Sequence, residues 1–158
     1  ALQDMLDGKG FAFIDPHGDL VEFVMKHYPK ERIDDLIYFD LSNTEYPIAF
    51  NPLDGTENDD ERDVVTNDLV EMFVSMYGEE IFGPRIQDYF RNACFLLMEQ
   101  PEGGTLVDIM RLFTDDAFAE SKIRNVKNPI IAARWNKTYR KMGEREKLEI
   151  IPFLQAKF

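Results

Sequence analysis

Two carboxylates and an imidazole fall within five residues in Asp15-Pro16-His17-Gly18-Asp19. That set suits work beside a phosphate or a metal-bound water: Asp15 can orient a water or an ion, His17 can support it, and Gly18 permits a close backbone approach. A plainer reading stays open, in which the same residues form a turn where Asp19 caps a following helix and Pro16 sets the geometry. The chemistry depends on what precedes the turn. Phe11-Ala12-Phe13-Ile14 reads as a buried strand ending in Asp15, and open α/β sheets carry their sites at such strand ends.

The other candidate groups are weaker. His27 falls on a helix flank, where a structural role is the default. Cys94 is the single cysteine, so no intrachain disulfide can form, and its apolar helical surroundings Phe90 to Leu97 read as core. The acidic run Asp54 to Glu61 lacks the alternating ligand spacing of a calcium loop and reads as a solvated loop, so no metal site is expected. Arg134, Lys137 and Lys141 share one helix face, with Arg140 and Arg145 close by, in a pattern that can track a nucleic-acid backbone or pair with the protein's own acids.

Charge is distributed unevenly. The chain has 158 residues and a net charge of −12. Residues 1–121 carry 27 acids against 8 bases, whereas residues 122–147 carry 9 bases against Glu144 and Glu146. A polyanion would therefore meet the second segment and be repelled by the first.

The elements that must position these residues follow from periodicity and punctuation. A helix end at Leu2 to Leu6 is closed by Gly8 and Gly10. A strand at Phe11–Asp15, a helix at Asp19–Tyr28 stopped by Pro29, and a strand at Leu36–Asp40 together predict a right-handed βαβ crossover, with Asp15 and Asp40 on one sheet edge. From Ser42 to Glu61 the signals are those of loop. Beyond it, apolar stripes predict helices: one capped by Asp59 or Asp60 and ending at Gly78, one opened by Pro84, one opened by the capping box Thr105 to Asp108, one from Asp115 to Arg124, and one from Asn128-Pro129 to Gly143. A last helix is expected from Glu144 to Phe158, interrupted at Pro152. The fold class predicted is α/β, with residues 1–56 a partial α/β core and residues 57–158 an all-α domain. The chain opens on Ala1 inside what reads as a helix, so a fragment is expected. No segment is apolar enough for a membrane span and no leader pattern is present, which predicts a cytoplasmic protein.

These blocks carry a family likeness. Gly10 to Leu20, Arg32 to Asp40 and Pro47-Ile48-Ala49-Phe50-Asn51-Pro52-Leu53 resemble, in order and spacing, the HerA/FtsK-type P-loop ATPases, especially the coupling ATPases of conjugative type IV secretion. Phe82 to Arg85, Tyr89 to Ala93 and Thr105 to Asp115 look like the helical insertion of those proteins. The resemblance implies a partial RecA-like P-loop NTPase core and ATP with Mg²⁺ as cofactors of the intact protein. It also implies DNA and secretion-system proteins as partners, and a ring of identical subunits. It makes Asp15 and His17 catalytic and Gly18 nucleotide-binding, and it adds DNA contact to the Arg134, Lys137 and Lys141 face. Neither the phosphate-binding loop nor the magnesium-holding acid of that family lies in this chain: no Gly-x-x-x-x-Gly-Lys-Ser/Thr occurs, so these residues alone cannot cradle a triphosphate. Two rival functions are a non-catalytic interaction module and a metal-dependent hydrolase built on Asp15, His17 and Asp19.

Overall fold

The computed structural model describes residues 2–137, 139–143, 145 and 150–152. The chain divides into two units, residues 1–49 and residues 50–158.

The first unit overturns the predicted fold class. Among the described residues there is no strand, and so neither a βαβ crossover nor an α/β RecA-like core. The unit contains α1 (Leu2–Leu6), α2 (Asp19–Lys26) and a 3-10 turn at Lys30–Asp35. Phe11 to Ile14 and Leu36 to Phe39, the two runs expected to pair, carry no ladder; Leu36 is half-buried and the other side chains are exposed, Ile14 by 91% and Ile37 by 90%. A continuous apolar run gives a segment the propensity for a buried strand, but a strand exists only where another backbone accepts its hydrogen bonds. With no sheet, Asp15 and Asp40 share no sheet edge, and each closes a separate local turn.

The second unit is helical, as its periodicity requires. It comprises α3 (Asp59–Tyr77), α4 (Pro84–Met98), α5 (Leu106–Thr114), α6 (Asp116–Ile123) and α7 (Pro129–Lys137), followed by a 3-10 turn at Tyr139–Lys141. α4 is the hub and packs against α3, α5, α6 and α7. Its second half, Ala93 to Met98, is buried on every side, which suits a helix that is apolar all round. One aromatic nest, Phe73, Phe82 and Phe90, joins α3 to α4, with ring centroids 5.1–5.5 Å apart. A second, Phe113, Trp135 and Tyr139, joins α5 to α7.

Local chemistry sets the helix ends. Asn58, rather than Asp59 or Asp60, caps α3: its Oδ1 accepts the Glu61 amide at 3.0 Å while Glu61 Oε2 accepts the Glu57 amide at 2.7 Å. Thr105 and Asp108 form the expected capping box on α5. Asp115 ends α5 and caps α6, its Oδ1 taking the Phe118 amide at 3.0 Å. The basic helix is described over Pro129–Lys137, and Tyr139–Lys141 is already a 3-10 turn, so the helix does not reach Gly143. The helix expected over 144–158 falls largely outside the described residues, among which Arg145, Ile150, Ile151 and Pro152 are helical.

The unit is entered through a small clasp. Leu53 is buried in the core, and the Asn51 side-chain amide donates to Gly104 O at 2.8 Å and to Asp54 Oδ1 at 2.7 Å. Gly104 is required there by contact, because a β-carbon at that position would stand 2.7 Å from Leu97 Cβ.

Candidate functional site

The Asp15 turn is built around its carboxylate. Pro16 and the left-handed Gly18, at φ 87°, fold the backbone so that its amides converge on Asp15. Oδ1 accepts the His17 amide at 3.1 Å, and Oδ2 accepts the Leu20 and Val21 amides at 2.9 and 3.2 Å. Those two amides belong to the first turn of α2, where backbone N–H groups otherwise lack partners. Asp15 therefore does the capping that the plainer reading gave to Asp19, while Gly18 occupies the N-cap position without a side-chain bond. The His17 amide, first among these bonds, holds the Asp15 carboxyl below the usual aspartate range.

This geometry limits the chemistry. A carboxylate whose two oxygens already take three backbone amides is a rigid anchor, with little lone-pair capacity left for an ion. His17 stands exposed at the turn. His27 folds back on α2, its Nδ1 2.8 Å from Phe23 O and its ring 4.5 Å from that of Phe23. Among the described residues no group of three or more His, Cys, Asp or Glu is placed to hold a metal ion. What the geometry does show of Asp15 is structural: its carboxylate ties the His17 amide to the first turn of α2.

The basic face is partly answered from within. Arg134 pairs with Asp88 of α4, 46 residues earlier, so its charge is compensated locally. Beneath that pair, Asp88, Tyr89, Asn92, Arg134, Trp135 and Tyr139 line a void of about 20 Å³, room for one water. Trp135 Nε1 donates to Asn92 O at 3.2 Å there, which fixes α7 on α4. Burial and the carboxylates of Asp116 and Asp115 push the Tyr139 phenol up to about 12. Lys137 and Lys141 remain exposed. Pro129, Ile130, Ala133, Arg134 and Lys137 line a shallow surface depression whose floor is apolar.

Cys94 is fully buried, and burial raises its thiol far above the ordinary range, which makes it an inert core residue. Sequence reasoning did not find the Lys122 pair. Lys122 is 8% exposed, lies over the Phe118 ring, and places Nζ 2.5 Å from Glu102 Oε1. The lysine hydrogen bond, the largest effect, draws the Glu102 carboxyl down. Gln100 closes the same corner, donating to Leu96 O and Lys122 O. No sequence signal marked it, because α6 already mixes Asp116, Glu120 and Ser121 with its apolar residues and Lys122 reads there as one more surface charge.

Compared with known proteins, the chain matches no family model, no curated protein and no solved structure. Among the described residues no helix is long and apolar enough to cross a membrane.

Proposed function

We propose that this chain serves in a DNA-translocating ATPase of the conjugative coupling type, which couples ATP hydrolysis to DNA movement in the intact protein. Its partners in this reading are DNA, secretion-system proteins and further copies of itself. The reading is supported by the sequence blocks of the first 53 residues and the helical region, which follow that family in order and spacing. The structural observation in its favour is the exposure of two apolar runs, Phe11 to Ile14 and Ile37 to Phe39, on either side of the α2 region. Apolar surface of that extent finds cover in a larger assembly. Nucleotide chemistry in this reading belongs to residues other than those of this chain, and Asp15 acts by holding the start of α2.

The test is phosphate release by the full-length protein that carries this sequence, with and without DNA. Hydrolysis stimulated by DNA is expected, together with no detectable heat when Mg²⁺-ATP is titrated into the 158 residues alone. Absence of hydrolysis by the full-length protein under both conditions refutes the reading. A second reading, a non-catalytic interaction module, is favoured by the three backbone amides that the Asp15 carboxylate already accepts. That outcome would leave it standing.

A further inference from the structure

Two helix faces in the second unit expose apolar side chains among charges of opposite sign. On α3, residues spaced by four form a continuous ridge, Asp60, Val64, Asp68, Met72 and Met76, all exposed. Over the length of α3 there are six acids, counting Asp63 and Glu71, against Arg62 alone. On the other side of the sequence, Pro129 to Gly143 contains four bases and no acid. There Ile130, 71% exposed, lies in the apolar depression on α7, flanked by Lys137, with exposed Lys141 following.

We propose that these are the two halves of one interface: the α7 face of one copy of this chain receives the α3 ridge of another. Several features choose this occupant. Both helices pack against α4, yet Ile130, Val64 and Met76 are each more than half exposed, so the two faces do not cover each other within one molecule. A phosphate backbone would meet cations but gain nothing from Ile130 or the apolar floor of the depression, and Arg134 is already compensated by Asp88. An acidic helix bearing exposed methionines meets both features, and the chain itself supplies one. Ile130 seats against Met72 and Met76 while Lys137 and Lys141 meet Asp68 and Glu71, a match that steers encounter and fixes register. The two faces are unlike, so a copy that has used its α7 face still offers its α3 ridge. This contact stands independently of the ATPase reading.

Sedimentation velocity on the whole 158-residue chain, across a wide concentration range and at low and high salt, tests it. Association that weakens with salt is expected. Reversing the lysines (Lys137→Glu with Lys141→Glu) or the acids (Asp68→Lys with Glu71→Lys) should each weaken it by at least about tenfold. Mixing the two variants should restore association, since one keeps a native α3 ridge and the other a native α7 face, and the two reversed faces are themselves of opposite charge. All four positions are exposed, so circular dichroism should report unchanged helicity. A wild-type chain that stays monomeric at every concentration overturns the proposal, as does association that the lysine reversal leaves unchanged. Loss of DNA binding by the lysine variant, with a monomeric wild type, would assign the face to nucleic acid instead.

Discussion

Gly104→Ala is the most direct test of how the helical unit is closed. The added β-carbon would lie 2.7 Å from Leu97 Cβ, 2.9 Å from Cδ2 and 3.2 Å from Cγ. Carbon atoms pack best at about 3.5–4.0 Å, so the nearest contact is short by about 1 Å. Rotating Leu97 relieves the two outer contacts but leaves the first, because Cβ is fixed to the α4 backbone. The 103–104 loop cannot retreat freely either, since Gly104 O is held by Asn51 at 2.8 Å. Overpacking of this kind costs about 2 kcal/mol. For a unit of this size, with an unfolding entropy of about 2.1 cal/mol/K per residue, that lowers the melting temperature by roughly 9 °C. Calorimetry and thermal melts followed by helical circular dichroism read the shift directly. Gly143→Ala is the control: nothing lies within 4 Å of its added carbon, and a change within about 0.5 kcal/mol is expected. A Gly104→Ala protein melting within about 2 °C of wild type would refute the reasoning.

Other outcomes follow from the same contacts. Thr105→Ala removes the hydroxyl half of the α5 capping box and should cost about 1 kcal/mol in urea unfolding. The Asp15 carboxyl is held below its unfolded value of about 3.9, so its contribution is complete above that pH and is lost as pH falls through the lower folded value. The amide shifts of His17, Leu20 and Val21 should therefore titrate together, with a midpoint below the ordinary aspartate value. Alkylation of Cys94 should proceed only under unfolding conditions, and labelling of the native chain at a model-thiol rate would contradict its burial. In an alkaline absorbance titration, one tyrosine should ionise near pH 12, and Tyr139→Phe should remove that phase.

The helices from α3 to α7 were legible because their signals are local. Pro84 at a first helical turn, Gly78 after the last turn of α3, and Thr105 three residues before Asp108 each act within a few residues of the boundary they mark. Phe11 to Asp15 and Leu36 to Asp40 were misread for the converse reason. A continuous apolar run is a statement about neighbours, and no described backbone completes the ladder. At the Asp15 turn the sequence displayed the right residues but not their direction. Whether a carboxylate faces inward to amides or outward to an ion is decided by the φ of Gly18 and the path into α2, neither of which residue type reveals. The Arg134–Asp88 pair and the Asn51–Gly104 bond join residues 46 and 53 positions apart, beyond the reach of any periodic pattern.

The Asn51 clasp also gives the helical unit a mechanical polarity. Tension applied to the chain at Phe50 meets the Asn51 bond to Gly104 and the buried Leu53 before it reaches the first turn of α3. The load thus passes sideways into the loop between α4 and α5, at the hub of the bundle, instead of peeling α3 from its end. A pull from this side must break the Asn51 bond and draw Leu53 from the core before α3 begins to unravel.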